Sequence, residues 1–316
     1  MSGTNGFGDR IVVHPLDPED AAALIPMKAA ARTQKGAPWT IESRKFYDAL
    51  MEGVRPRADV TFESATIGDV PGVWVHPASS RSDEAILHVH GGGFVEGSAT
   101  AYRHLVGHIA ARANTKAFVP DYRLAPEYPF PAAVDDVLAV YSGMDANGVR
   151  RIAVTGDSAG GNLALVLAWC IATKAVHSKA SLVGAVALSP LTDLTLSGAS
   201  YEERADADPY FTKEQLADVV NAYLRGANAN DPLASPLQGQ FSGLPPIRIH
   251  VGDDEVLLDD SRRYVERARV EGIDARLDVW TGMPHVFVAS IGMLKASAQA
   301  LDAIGTFLTE RLRGRT

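Results

Sequence analysis

Short apolar runs typical of β-strands alternate with longer helical patterns from about residue 60 to the end of the chain. The strand-like runs lie at residues 60–67, 72–76, 85–90, 116–119, 151–155, 182–188, 247–251 and 275–279. The helical patterns lie at residues 101–113, 132–144, 159–176, 260–271 and 292–312. Since parallel strands need a crossover connection, usually a helix, this alternation predicts an α/β fold with a mostly parallel sheet flanked by helices and entered by antiparallel first strands.

Two segments do not fit this alternation. Residues 17–53 have the pattern of two amphipathic helices before the sheet begins, and residues 197–228 form a polar, helix-prone insertion between the sixth and seventh strand-like runs. We expect both to lie over one end of the sheet as a helical cap. The predicted organisation is therefore N-terminal cap helices over residues 1–55 and a main α/β domain over residues 56–316, with 197–228 inserted as part of the cap.

A candidate nucleophile lies where the fifth strand-like run meets a helix. Residues 156–160 read Gly-Asp-Ser-Ala-Gly, which matches the pattern G-x-S-x-G in its strand–turn–helix setting. The glycines permit a sharp turn that lifts the hydroxyl of Ser158 clear of the sheet, and the following helix directs its free N–H groups toward an anion forming there. The alternative, in which the glycines only pack the helix against the sheet, leaves this combination unexplained. We predict that Ser158 is a nucleophile.

A second glycine-rich loop follows the strand-like run at 85–90, where residues 90–93 read His-Gly-Gly-Gly. Three consecutive glycines weaken any regular element, so they need a local reason. Acyl transfer supplies one, because the oxygen of the tetrahedral intermediate has to meet backbone N–H groups that side chains would block. We assign the N–H groups of Gly92, Gly93 and Ala159 as the oxyanion hole.

A base and an acid are expected after the nucleophile, in the chain order serine, acid, histidine. His285 follows the last strand-like run and precedes the last helix, whereas His250 lies within the run 247–251 and is better explained as a strand residue. The acid is expected at the end of that run, where the residues alone leave the choice open among five carboxylates: Asp253, Asp254, Glu255, Asp259 and Asp260.

No metal or cofactor is expected. His88 and His90 form an H-x-H pair, but no further ligands follow at the spacing of a metallohydrolase. There is no G-x-G-x-x-G after the first strand and no Gly-Lys-Ser/Thr for a phosphate. Cys170, the one cysteine, lies in an apolar run like a core residue, so no intrachain disulfide can form.

Together, several motifs resemble those of the bacterial hormone-sensitive-lipase-like (GDXG) esterases. They are the two glycine-rich loops and the sequences Asp-Tyr-Arg-Leu-Ala-Pro-Glu at 121–127, Phe-Pro-Ala-Ala-Val-Asp at 130–135, Ser-Pro-Leu-Thr-Asp at 189–193 and Asp-Pro-Leu-Ala-Ser-Pro at 231–236. The resemblance covers about residues 60–310. It implies a capped α/β-hydrolase fold that acts on small acyl esters without a cofactor, and it is compatible with a homodimer. It also implies that Arg123 and Glu127 brace the oxyanion loop.

The resemblance also selects one acid. Family members typically have Asp-Pro-Leu-x-Asp at this place, with the first aspartate catalytic, and here residues 255–259 read Glu-Val-Leu-Leu-Asp. The catalytic position then falls on Glu255, with Asp254 as the next alternative. A glutamate is chemically workable, because enzymes of this fold use either carboxylate in that role.

The expected function is that of a serine carboxylesterase for short- to medium-chain acyl esters, with the triad Ser158, Glu255 and His285 and an acyl-enzyme intermediate. A lactone hydrolase or a deacetylase with the same triad is the alternative, and a non-catalytic ligand receptor on this scaffold is a distant one, because the serine, the histidine and the glycine loop are all intact. An interfacial lipase would need an exposed apolar lid pattern, which the sequence lacks.

Charge and hydropathy limit the other partners. Lys and Arg total 30 against 38 Asp and Glu, a net charge of −8 that disfavours nucleic acid and anionic membranes. Residues 1–9 lack the pattern of a signal peptide, and no apolar stretch reaches the ~18–20 residues of a membrane span. We therefore expect a cytoplasmic protein whose partner is a small-molecule ester.

Overall fold

A nine-stranded sheet forms the centre of the computed structural model, which describes residues 11–314. Its strands are β1 (Ile11–His14), β2 (Val60–Ile67), β3 (Val70–Pro77), β4 (Glu84–Val89), β5 (Ala117–Pro120), β6 (Arg151–Asp157), β7 (Ser181–Leu188), β8 (Ile247–Gly252) and β9 (Ala275–Trp280). They lie in the order β1-β9-β8-β7-β6-β4-β5-β3-β2. Only the β2–β3 and β3–β5 pairs are antiparallel, so the predicted mostly parallel sheet with an antiparallel entry is confirmed. The signal-peptide expectation for residues 1–9 lies outside the described residues.

Helices cover both faces of this sheet. They are α1 (Pro18–Arg32), α2 (Ser43–Glu52), α3 (Ala99–Ala113), α4 (Ala132–Ala146), α5 (Ser158–Ala172), α6 (Ser200–Glu203), α7 (Lys213–Leu224), α8 (Leu258–Val270) and α9 (Lys295–Leu312). Helices α4, α5 and α8 contribute to the hydrophobic cluster on one face, and α3 and α9 to the cluster on the other. Strand β4 alternates between them, with Leu87 in the first cluster and Ile86 in the second. This is the α/β fold that the periodicity predicts.

The expectation that the sheet begins near residue 60, and that residues 1–55 belong wholly to a cap, needs correction. Strand β1 pairs in parallel with β9 at the edge of the sheet. The imidazole of His14 stacks on Trp280, with ring centroids 3.8 Å apart, and its Nε2 lies 2.8 Å from Asp278 Oδ1. Four residues carry too little periodicity to predict a strand, and contacts with β9 stabilise this one.

The two segments expected to form a cap contact each other. The Lys35 ammonium, just after α1, donates to the carbonyl oxygens of Ala205 and Asp208 in the insertion, both at 2.5 Å. Gln215 Nε2, in α7, donates to Ala37 O at 2.8 Å. These bonds join the chain after α1 to the 197–228 insertion, which contains α6 and α7.

No helix within residues 11–314 combines the length and apolar character that crossing a membrane requires. Cys170 is buried in α5, as its apolar neighbours predict.

Candidate active site

The candidate residues meet at one edge of the sheet. Strands β4, β6, β7, β8 and β9 run in parallel, so the loops after their carboxyl ends share an edge, as in other open α/β sheets with a ligand site. One strand, β7, separates β6 from β8, which places their ends about 10 Å apart. Ser158 follows β6 and Glu255 follows β8, while His285 follows β9. Side chains can bridge that spacing.

Ser158 occupies a strained turn between β6 and α5, with no residue between the two elements. Its φ is +52°, a conformation that costs a non-glycine residue about 1–3 kcal/mol. A Cβ on Gly156 would lie 2.3 Å from Gly160 O, and one on Gly160 would lie 2.1 Å from Val89 O. Both positions therefore need glycine, and the turn leaves the first N–H groups of α5, including that of Ala159, without helical acceptors.

The oxyanion loop also depends on glycine. Gly92 and Gly93 have φ values of +108° and +59°, and a Cβ on Gly92 would lie 2.1 Å from Glu96 O. Within residues 11–314, no acceptor receives the N–H of Gly92 or of Gly93. Two free donors thus remain available next to the Ser158 turn.

Asp157, directly before Ser158, holds the oxyanion loop in place through a side-chain hydrogen bond. It is 1% exposed, and its Oδ1 accepts the N–H of Gly91 at 3.0 Å. Its Oδ2 accepts the hydroxyl of Tyr102 at 2.9 Å, and that hydroxyl lies 2.6 Å from the hydroxyl of Tyr47. Sequence reasoning gave Asp157 no role, because its partner Gly91 is 66 positions away.

The two residues expected to brace the oxyanion loop behave differently. Both oxygens of Glu127 accept from Arg44 of α2 at 2.8 Å, and Arg44 Nε donates to Val95 O at 2.6 Å, just beyond the glycines. Glu127 therefore reaches the loop through Arg44, which the sequence did not single out. The expectation for Arg123 is wrong, because its guanidinium binds Asp136 of α4 instead.

Glu255 and His285 form a direct pair. Glu255 Oε2 lies 2.8 Å from His285 Nδ1, and the two side chains are 0% and 8% exposed. The other oxygen, Oε1, accepts the N–H of Gly252 at 2.6 Å. The ring of Phe211 from the insertion forms a T-shaped contact with the imidazole, with ring centroids 5.0 Å apart and an interplanar angle of 82°. The imidazole is therefore held by a carboxylate on one side and covered by an aromatic ring.

Ser189 supports this pair, although sequence reasoning assigned it no role. Its hydroxyl donates to Glu255 Oε1 at 2.7 Å and accepts the N–H of Val286 at 3.2 Å, linking the acid loop to the histidine loop. Ser189 and Val286 both have positive φ, +47° and +50°. With Ser158, three strained non-glycine residues meet at this site.

The other four carboxylates near Glu255 have partners elsewhere. Asp253 accepts the N–H of Gly282, and Asp254 forms an ion pair with Lys28 of α1. Asp259 Oδ2 accepts the N–H of Ser200 at 3.0 Å. Asp260 accepts from Thr192 N and Asp193 N, and burial raises its pKa to about 7. None of these four forms a hydrogen bond with His285 within the part of the chain that the structure describes.

The charge of Glu255 changes the proton affinity of the histidine. Burial lowers the pKa of His285, but the hydrogen bond and negative charge of Glu255, together with the charges of Asp208 and Asp157, raise it, and the pKa lies above its ordinary value of 6.5. Among residues 11–314, the structure has no hydrogen bond between Ser158 Oγ and His285. The charge of Asp157, next to Ser158, nevertheless acts on the imidazole. In unliganded enzymes such a bond is often long and tightens on substrate binding.

The remaining histidines of interest have structural partners. His88 Nδ1 lies 2.8 Å from Thr155 Oγ1, and His90 Nδ1 lies 2.8 Å from Gly91 O. His250 is a buried strand residue, and burial lowers its pKa to about 4. Within residues 11–314, no group of three or more His, Cys, Asp or Glu side chains is arranged to hold a metal ion.

Comparisons with known proteins match this architecture. A family profile described as the alpha/beta hydrolase fold matches residues 86–289. An acetyl-hydrolase of Streptomyces hygroscopicus is 32% identical over 271 residues, which cover 85% of this chain and 89% of that protein. An esterase of Acinetobacter venetianus is 34% identical over 235 residues, 73% and 77% of the two chains.

Solved esterase structures are also similar to this chain over most of its length. The crystal structure of EstE5 has a TM-score of 0.87 at 34% identity, over 94% of this chain and 100% of that one. An esterase described as belonging to the bacterial hormone-sensitive lipase family has a TM-score of 0.86 at 36% identity, over 94% and 99% of the two chains. The residues matched by the family profile include Ser158, Glu255 and His285.

Proposed function

This chain belongs to the α/β-hydrolase fold family and, within it, to the hormone-sensitive-lipase-like carboxylic-ester hydrolases, and from that premise we propose that it cleaves small acyl esters with Ser158, His285 and Glu255 as its catalytic triad. The observation that carries this assignment is the Glu255–His285 hydrogen bond of 2.8 Å, at the same edge of the sheet as Ser158 on its strained strand–helix turn. A carboxylate at Nδ1 leaves the opposite ring nitrogen free to act on the serine.

In the first half-reaction, His285 Nε2 takes the proton of Ser158 Oγ as the oxygen attacks the ester carbonyl carbon. The negative charge that develops on the carbonyl oxygen is stabilised by the N–H groups of Gly92, Gly93 and Ala159, of which the two loop donors have no other acceptor among the described residues. The bond to the alcohol oxygen then breaks, the alcohol leaves with the proton from His285, and an acyl-serine remains.

In the second half-reaction, a water molecule attacks the acyl-serine while His285 takes one of its protons. The second tetrahedral intermediate collapses, Ser158 regains its proton from His285, and the carboxylic acid leaves. Glu255 stays ionised throughout, because its task is to orient the ring and stabilise the imidazolium. The net reaction consumes one ester and one water.

We further propose that the N-terminal helices and the 197–228 insertion together cap the site and limit the substrate. The contacts of Lys35 and Gln215 that join the two segments support this. A side chain on Gly93 would lie 3.3 Å from Val219 of α7, so the insertion passes directly over the oxyanion loop. The space beside the reacting carbonyl is therefore bounded on the cap side.

A chain-length series tests this proposal. We expect p-nitrophenyl esters with acyl groups of about two to eight carbons to give kcat/KM values at least about tenfold above those of the sixteen-carbon ester, because a closed cap cannot bury a long chain. Lactones and acetylated amines belong in the same assay, since they separate ester hydrolysis from its two alternatives. Strong activation on long-chain triglyceride emulsions would contradict a closed cap.

The raised pKa of His285 predicts a pH profile. The base has to be unprotonated to act, and Glu255 keeps the proton on the ring to higher pH, so kcat/KM is expected to rise with pH through a midpoint above 6.5. The measurement is kcat/KM for p-nitrophenyl butyrate from about pH 5 to pH 9, with enzyme stability checked at each pH. A midpoint well below 6.5 would mean that burial outweighs the carboxylate.

A further inference from the structure

A buried carboxylate in the insertion contacts the loop that carries Glu255. Asp208 lies between α6 and α7 and is 0% exposed. Its Oδ2 accepts the N–H of Val256 at 2.9 Å, and its Oδ1 accepts those of Tyr210 at 2.8 Å and Phe211 at 3.0 Å. One side chain thus binds three backbone donors from two distant parts of the chain.

Two of the three residues that donate to Asp208 adjoin the catalytic pair. Val256 directly follows Glu255, so the bond from its N–H to Asp208 fixes the backbone from which the acid projects. Phe211, whose backbone N–H donates to the same carboxylate, packs its ring against that of His285. Asp208 therefore controls the position of the acid loop and of the ring that covers the base.

A second contact holds the same loop from the insertion. The Ser200 hydroxyl donates to Val256 O at 2.6 Å, while the Ser200 N–H donates to Asp259 Oδ2 at 3.0 Å. Both backbone groups of Val256 thus bind side chains of the insertion. The loop that carries Glu255 is therefore held by hydrogen bonds to the insertion as well as by its connection to strand β8.

We propose that Asp208 is a positioning residue for the Glu255–His285 pair, so that the 197–228 insertion completes the catalytic site in addition to covering it. This inference rests on the proposed function, because it concerns the same acid and base. Among residues 11–314, Asp208 forms no hydrogen bond with Ser158 or His285. It acts by holding the backbone of the acid and by adding a negative charge near the base.

The charge of Asp208 distinguishes this role from simple scaffolding. Burial lowers the pKa of His285, whereas Glu255, Asp208 and Asp157 all raise it. Of the other charged groups on the acid loop, Asp254 is neutralised by its ion pair with Lys28.

The remaining acidic groups of that loop have their own hydrogen-bond donors. They are Asp253, Asp259 and Asp260. Removing the charge of Asp208 is therefore expected to lower the pKa of His285, and a purely structural residue would not have this effect.

The test compares Asp208→Asn with Asp206→Asn, which makes the same chemical change at an exposed position two residues away. For Asp208→Asn, we expect the acid limb of kcat/KM to move to lower pH by about half a unit and the plateau to fall about 10- to 100-fold, because an amide cannot accept all three N–H groups. Asp206→Asn should match the wild type in both. If Asp208→Asn folds and also matches the wild type, the proposal is wrong.

Asp208→Glu separates the effect of the carboxylate's charge from the effect of its position. It also tests the proposal if the asparagine variant does not fold. It keeps the charge and misplaces the carboxylate, so its acid limb should stay at the wild-type pH while its plateau falls. An unchanged plateau in a folded Asp208→Glu would overturn the proposal. If instead the wild type shows no Ser158-dependent hydrolysis, the proposed function fails, and that result does not depend on either Asp208 variant.

Discussion

Ser158→Ala is expected to lower kcat for ester hydrolysis by about 10⁵- to 10⁶-fold while the protein stays folded. The substitution removes the only atom that can form the acyl-enzyme in the proposed mechanism. Residual catalysis from the oxyanion donors and substrate binding falls far short of the wild-type rate. The fold should survive, because alanine fits the space of serine at this turn. The measurement is kcat for p-nitrophenyl butyrate at saturating substrate, with circular dichroism and a thermal melt as checks on folding.

The matched control for Ser158→Ala is Ser142→Ala on α4, an exposed serine whose hydroxyl donates to Leu138 O in the preceding helical turn at 2.9 Å. It should leave kcat unchanged. A fluorophosphonate probe should label the wild type and Ser142→Ala at residue 158 and leave Ser158→Ala unlabelled. Retention of a tenth of the wild-type rate in Ser158→Ala would mean that another residue is the nucleophile.

Glu255→Gln is expected to lower kcat by about three to four powers of ten, the usual cost of neutralising a triad acid without changing its shape. The glutamine amide lacks the charge that stabilises the imidazolium, and its NH₂ group allows the ring to adopt the wrong tautomer. In the wild type the N–H of Gly252 and the hydroxyl of Ser189 both donate to Glu255 Oε1. In the variant, one end of the glutamine amide faces these two donors and the other end faces His285. The acid limb of kcat/KM should move to lower pH, since Glu255 raises the pKa of His285.

Three aspartates on the same loop provide the comparison for Glu255→Gln. Asp253→Asn, Asp254→Asn and Asp259→Asn each remove one charge from residues whose partners lie away from His285. We expect each to retain activity within about tenfold of the wild type. A collapse in one of them, with Glu255→Gln near the wild-type rate, would transfer the acid role to that aspartate.

The sheet could be predicted from the sequence because each of its longer strands has its own local signal. Strands buried on both faces read as continuous apolar runs, and the runs ending near Val89, Leu188 and Gly252 correspond to β4, β7 and β8. Strand β1 was missed because four residues, of which Ile11 and Val13 are exposed, give no such signal. Its pairing depends on residues that lie far along the chain.

The same distinction applies to the site. Ser158 and the glycines of the oxyanion loop are specified by local turns, so their places could be predicted. Asp157, Ser189 and Asp208 were missed because each acts through a side-chain hydrogen bond to a residue far away in sequence. The structure pairs Glu255 with His285, and the catalytic role of both residues stays a prediction until the variants are measured.

The position of β1 has a consequence for how the chain is made. Strand β1 is the first element of the described chain and β9 is the last strand, with His14 and Asp278 separated by 264 positions. During synthesis, β1 therefore has no strand partner among the described residues until β9 has left the ribosome. The edge of the sheet next to the acid and histidine loops closes only after β9 (Ala275–Trp280) has been translated. Nascent chains that end before β9 consequently carry Ser158 and the oxyanion loop without a completed site.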